Sequence, residues 1–227
     1  MLNWQKHKVK MLQILKDVYK DAAIAPYLGF KGGTVCWFFY DLPRYSVDLD
    51  FDMLDGMKKK IVFKKISQIA EQYGRLKDAW EKRNTLFFLL LYGQTEQNIK
   101  IEISVRDLKN DFEVLNYLGL PMYVMKKPDI FANKLAALCI RGKTAARDVF
   151  DIHFFFSQGW DINEKIIEYW TGKNLNEYLK DCVRTIEKIP NNKILQGLGQ
   201  LVDGKQKTWI RNNLKTETVL FMKAIVN

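Results

Sequence analysis

The sequence predicts an α+β N-terminal part followed by an all-helical C-terminal part, with the change near residue 125. Three observations carry this. Ser46-Val47-Asp48-Leu49-Asp50-Phe51-Asp52-Met53 alternates polar and apolar residues with the period of a strand, and segments 75–82, 84–92 and 97–105 add three more strands. Pro121 and Pro128 mark a change of character, and from Pro128 onward apolar residues recur almost throughout at helical spacing. No internal repeat or low-complexity segment interrupts either part.

Residues 4–20 place Trp4, Val9, Leu12, Leu15, Val18 and Tyr19 at helical spacing, which predicts a first amphipathic helix. Residues 24–31 are short and apolar and lead into Gly32-Gly33-Thr34. Thr34–Tyr40 is rich in aromatics, as strands are, yet a helix is favoured here because its first N–H groups would then point at an anion held by the glycine turn. A helix over 58–73 carries Ile61, Ile66, Ile69 and Tyr73. The C-terminal helices are expected near 128–141, 145–158, 161–171, 174–188 and 205–225.

At 227 residues and 48% hydrophobic composition, the chain can bury a core in one large or two small domains. No apolar run approaches the roughly 18 residues a membrane helix needs. Met1-Leu2-Asn3-Trp4-Gln5-Lys6 lacks the architecture of a secretion signal, and Cys36, Cys139 and Cys182 are odd in number and far apart. They fit thiols in a reducing cytoplasm better than a disulfide framework or a zinc site. With only two histidines, a histidine-based metal site is not expected. The net charge of +10 favours a polyanionic partner, a nucleic acid or a triphosphate.

The most informative stretch is Gly32-Gly33-Thr34 followed by Arg44-Tyr45-Ser46-Val47-Asp48-Leu49-Asp50-Phe51-Asp52. A Gly-Gly-Thr turn brings bare backbone N–H groups against a phosphate, since no Cβ blocks the approach. In the strand that follows, Asp48, Asp50 and Asp52 share one face, while Val47, Leu49, Phe51 and Met53 face a core. Carboxylates crowded on one face repel one another, and an oxygen-preferring cation such as Mg²⁺ relieves the repulsion. The bland alternative is an exposed acidic strand after an ordinary glycine turn. In 97–105, Lys100, Glu102 and Ser104 likewise share a face.

A second cluster lies in the helical part. Asn133-Lys134-Leu135 through Arg141-Gly142-Lys143 reads as a helix with a glycine-terminated end, and Arg147-Asp148-Val149-Phe150-Asp151 opens the next. The competing reading is a helix hairpin held by surface ion pairs, which contribute little; it is preferred for Lys143. Lys134, set among Ile130, Phe131, Leu135 and Leu138, needs a partner for its charge.

Together these segments resemble the AbiEii-type nucleotidyltransferases, the toxin halves of abortive-infection, type IV toxin–antitoxin systems within the DNA polymerase β-like superfamily. The resemblance rests on Gly32-Gly33-Thr34, on Arg44 through Phe51, on Lys100-Ile101-Glu102-Ile103-Ser104, and on Lys134 through Asp151. It spans residues from about 25 to 160. Founding members carry Gly-Ser where this chain has Gly33-Thr34, so the hydroxyl is retained. The resemblance implies a nucleotidyltransferase-like mixed sheet with flanking helices over 1–125, and an all-helical domain over 126–227 closing an active-site cleft. It matches Asp48 and Asp50 to the metal-binding Asp-x-Asp and Glu102 to a third carboxylate. Lys134 matches the lysine that contacts the triphosphate, and Asp148 the acidic residue of the last motif.

The expected activity is therefore transfer of a nucleoside monophosphate from an NTP, with Mg²⁺ or Mn²⁺ held by Asp48, Asp50 and Glu102. Gly32, Gly33, Thr34, Ser46, Lys134, Arg141 and Arg147 are the expected nucleotide contacts. Asp48, Asp50, Glu102, Lys134 and Asp148 form the expected catalytic set. The basic surplus tilts the acceptor toward RNA, tRNA above all, in a cytoplasmic toxin whose cognate antitoxin acts indirectly. Two other classes compete: a catalytically silent interaction protein with the same fold, against which the intact carboxylates argue, and a small-molecule (antibiotic) nucleotidyltransferase. The latter would want an acidic, aromatic C-terminal pocket, whereas Lys173, Lys180, Arg184, Lys188, Lys193, Lys205, Lys207 and Arg211 make that half basic.

Overall fold

The computed structural model describes residues 3–93, 98–106, 110–140 and 146–226. The chain divides into two compact units: Met1–Asp41 with Tyr45–Met125, and Leu42–Arg44 with Lys126–Asn227.

The first unit is built on a seven-stranded sheet. Its strands are β1 (Leu28–Lys31), β2 (Asp48–Met53), β3 (Arg75–Lys82), β4 (Thr85–Leu91), β5 (Ile99–Ser104), β6 (Phe112–Tyr117) and β7 (Leu120–Met125), in the order β3-β4-β5-β2-β1-β7-β6. The β2–β5 and β1–β7 pairs are parallel and the others antiparallel, so the sheet is mixed. Alternate residues of the central strands build the core: Leu49 and Phe51 of β2, Phe88 of β4, and Ile101 and Ile103 of β5 are fully buried. Helix α1 (Trp4–Lys20) adds Met11, Ile14, Leu15 and Val18, and α3 (Lys59–Glu71) adds Val62 and Ile66. The Asn3 side chain accepts from the Lys6 N–H and so caps the start of α1. Between β1 and β2 runs α2 (Gly33–Phe39), a helix where the aromatics alone would suit a strand.

The β6–β7 hairpin is not among the expected elements. Its two-residue turn, Leu118-Gly119, has positive φ at both positions (51° and 79°), the primed geometry that matches strand twist. Leucine is a poor residue there, so the turn carries no Asn-Gly or Asp-Gly signature. Pro121 inside β7 further disguises the strand.

The second unit is helical: α4 (Lys127–Ile140), α5 (Ala146–Ser157), α6 (Glu164–Thr171), α7 (Leu175–Glu187), α8 (Gly204–Trp209) and α9 (Lys215–Val226). Phe131, Leu135, Ile152, Phe155, Ile167, Leu179, Ile186 and Met222 fill its core. The single helix expected over 205–225 is instead α8, a π-helical segment Ile210–Leu214, and α9. Asp203 and Gln206 form a capping box at the start of α8, and Asn174 caps α7 through the Glu177 N–H.

Candidate active site

The β2–β5 register decides what meets what in the first unit. Asp48 stands beside Lys100, Asp50 beside Glu102 and Asp52 beside Ser104. The three expected carboxylates, Asp48, Asp50 and Glu102, are thus carried on neighbouring strands, with Glu102 next to Asp50 across the ladder. The sequence reading omitted what lies among them. The Lys100 ammonium is 3.4 Å from Asp48 Oδ2 and 3.4 Å from Glu102 Oε2, so both carboxylates share one internal cation.

Electrostatics follow from this grouping. Burial holds the Asp50 carboxyl above the usual carboxylate range, against the pull of Lys100 and Lys31 and with the added repulsion of Asp48 and Glu102. Lys100 is held above the usual lysine range: burial would lower it, but Asp48, Asp50 and Glu102 outweigh that cost. The donors are all hard oxygens, the set that suits Mg²⁺ or Mn²⁺. Among the described residues no three acidic, histidine or cysteine side chains are drawn together as a finished metal cage. Between Asp48 and Glu102 the position is taken by the lysine.

Asp52, the third aspartate of the stripe, has a different occupation. It is buried, ion-paired with Lys31 and accepts a hydrogen bond from Asn110 Nδ2 at 2.7 Å. It anchors β2 to β1.

The glycine turn is held tightly against this face. Gly32 has φ 84° and ψ −167°, a conformation open essentially to glycine alone. A Cβ there would lie 2.7 Å from Asp50 Oδ2. Gly33 begins α2 and is buried. The Thr34 hydroxyl is buried too, sharing hydrogen bonds with Ser46 Oγ (2.9 Å) and with the Asp48 carbonyl oxygen. These two hydroxyls pin the turn to the entrance of β2. From the other side His7 of α1 reaches the Val47 carbonyl with Nε2 (3.3 Å), while Nδ1 bonds the Tyr92 hydroxyl. The backbone leading into Asp48 is therefore fixed by two separate elements.

In the second unit α4 and α5 join Lys134 to two aspartates. Its Nζ lies 2.7 Å from Asp148 Oδ1 and 2.9 Å from Asp151 Oδ2. Arg44, from the three-residue stretch Leu42–Arg44, grips Asp151 with both ends of its guanidinium, at 2.5 and 2.6 Å. Asp148, Asp151 and Arg44 are all buried. The Asp151 carboxyl is held below the usual range because Arg44, and then Lys134, outweigh the cost of burial. Lys134 is held above its usual range by Asp148 and Asp151, against burial and Arg44. Arg147 is half-buried next to Asp148 in sequence. Arg141 and Lys143 lie outside the described residues.

A sheet with an Asp-x-Asp face beside a glycine turn, followed by a helical unit with a buried lysine–aspartate network, is the construction of a nucleotidyltransferase. The comparisons agree. The family model "Nucleotidyl transferase AbiEii toxin, Type IV TA system" matches residues 13–208, and the chain belongs to that family. A solved structure assigned as a nucleotidyltransferase from H. pylori is 25% identical with a TM-score of 0.67, covering 98% of this chain and 94% of its own. The structure of JHP933 from Helicobacter pylori shares the fold at 24% identity and a TM-score of 0.65, covering 100% and 94%. Among curated proteins there is no match. No helix among the described residues is long and apolar enough to cross a membrane.

Proposed function

We propose that the chain transfers a nucleoside monophosphate from an NTP to a hydroxyl of RNA, tRNA in particular, and does so as the cytoplasmic toxin of a pair whose antitoxin acts indirectly. The observation that carries this is the placement of Asp48, Asp50 and Glu102 on two adjacent strands, with Lys100 ion-paired to Asp48 and Glu102, on a face backed by the glycine turn.

Asp48, Asp50 and Glu102 would hold Mg²⁺ or Mn²⁺. Bound there, the ion supplies Lewis-acid stabilisation of charge on the transferring phosphate. The remaining work falls to the chain itself. Backbone N–H groups from Gly32 to Thr34 are the proposed contacts for the β- and γ-phosphates. The Thr34 and Ser46 side chains, already bonded to each other, keep that backbone in place. Glu102, the most exposed of the three carboxylates, is the proposed acceptor of the proton from the attacking hydroxyl. The bond from the acceptor oxygen to the α-phosphorus forms as the bond to the β-phosphate oxygen breaks, and pyrophosphate departs. Lys134, with Arg147 and Arg141, is assigned to charge on the departing pyrophosphate. Asp148 and Asp151 hold the Lys134 ammonium in one position, which preorganises it. The basic helical residues, Lys173 to Arg211, are assigned to the RNA backbone, where phosphate contacts position without reading sequence.

The test is incubation with each labelled NTP in turn, Mg²⁺ and total cellular RNA. One NTP should label an RNA band, and Asp48→Asn and Asp50→Asn should abolish the label. Label appearing in protein or a small molecule would replace RNA as acceptor; label in nothing would refute transfer.

A further inference from the structure

The fold brings together two thiols that the sequence holds far apart. Cys139 near the end of α4 and Cys182 in α7 place their sulfurs 3.8 Å apart, in hydrogen-bond contact. The pair is asymmetric. Cys139 is half-buried and also lies 3.4 Å from Thr185 Oγ1, whereas Cys182 is fully buried. Once Cys139 ionises, the Cys182 thiol becomes a donor to it. That hydrogen bond is the largest of the influences lowering the Cys139 thiol to about 6, with Thr185 and Tyr178 assisting against burial. Cys182 is pushed far up by the same contact and by burial. A reachable sulfur that ionises near neutral pH, backed by a buried protonated partner, divides the labour between attacking and resolving thiols.

We infer that Cys139 and Cys182 form an oxidisable dithiol site whose co-reactant is a hydroperoxide. The Cys139 thiolate attacks the terminal peroxide oxygen, the O–O bond breaks, and an alcohol (water, from hydrogen peroxide) leaves after protonation. Cys139 is then a sulfenic acid. The Cys182 sulfur attacks that sulfur, the S–O bond breaks, and the departing hydroxide takes the Cys182 proton as water. The product is a disulfide joining α4 to α7. The two sulfurs together lose two electrons, and the peroxide gains them. Because α4 also carries Lys134, the bond would tether the helix that presents the phosphate-binding lysine. Cys36, in α2 and fully buried, serves as the internal control.

The experiment uses the full, reduced chain exposed to hydrogen peroxide, quenched with iodoacetamide and read by intact mass and peptide mapping. The expected product is lighter by two hydrogens before alkylation, contains one linked Cys139–Cys182 peptide, retains an alkylatable Cys36 and reverts with dithiothreitol. In Cys182→Ser, Cys139 should stop as a sulfenic acid that dimedone traps. Alkylation of Cys139 in the parent should reach half its maximal rate well below pH 8. Full alkylation of both Cys139 and Cys182 after peroxide, oxidation of Cys36 in their place, or a half-rate pH in the ordinary thiol range would each overturn the inference.

Discussion

Replacing Lys100 by methionine keeps the length of the side chain and removes the internal cation from between Asp48 and Glu102. The magnitude can be worked from the geometry. An ion pair near 4 Å is worth about 1 kcal/mol in bulk water and about 4 kcal/mol at the effective dielectric of a protein surface. Lys100 is 30% exposed and Glu102 42%, so screening brings each 3.4 Å contact near the lower figure. Losing both leaves the carboxylates about 2 kcal/mol less neutralised, which a divalent ion recovers on binding. That corresponds to roughly 30-fold tighter binding of Mn²⁺. Calorimetric or EPR titration of Mn²⁺ into parent and Lys100→Met, without nucleotide and at low ionic strength, measures it directly. The gap should narrow as salt is added. An unchanged or weaker affinity in the variant would show that Lys100 assists the ion rather than competing with it, and would refute the reasoning.

Arg44→Ala should lower stability by about 3–5 kcal/mol in urea unfolding, because Asp151 is left buried with one of its two cations missing. The Asp151 carboxyl is lowered in the fold, so its stabilising contribution is full above the ordinary carboxylate range, near pH 4, and fades as pH falls through the lower folded value. Arg44→Ala should therefore flatten the acid limb of a stability–pH profile, and a parallel limb would count against the ion pair. Gly32→Ala should cost about 1–3 kcal/mol and abolish transfer, since alanine fits neither the backbone angle nor the space beside Asp50; full turnover would remove the turn from the site. Lys134→Ala should abolish transfer and also destabilise, because Asp148 and Asp151 would be left buried without its ammonium. Normal turnover of the folded variant would sink its assignment to pyrophosphate. Filter binding of tRNA should weaken steeply with salt, with a slope set by the phosphates neutralised; weak binding at low salt would leave the basic surface without an RNA role.

Much of this was legible because strand and helix periods are strong where one face is buried. Segment 97–105 alternates so cleanly that β5 falls within it, and α1 spans the expected Trp4–Lys20. The glycine turn and the Asp-x-Asp could be picked out from the backbone freedom and the crowded charge they imply, whereas Glu102 entered only through the resemblance. What stayed hidden depends on register and on long-range pairing. Lys100 shares a face with Glu102 in any strand reading, but nothing local says that Asp48 completes its surroundings. Arg44 and Asp151 stand 107 positions apart, so their pairing has no signature in sequence spacing. The β6–β7 hairpin escaped because its turn residues are not those that turn chemistry favours.

The short stretch Leu42–Arg44 has a consequence for modularity. The helical unit owns three residues that are synthesised long before the rest of it, between the two halves of the glycine–aspartate motif. A fragment starting at Lys126 would lack the guanidinium that neutralises Asp151, and would begin life with a structural debt in its own interior. The same holds for a chimaera: a helical half moved without Leu42–Arg44 carries Asp151 away from the Arg44 that pairs with it in this chain. The unit of inheritance in this protein is thus the whole chain, although its architecture divides in two.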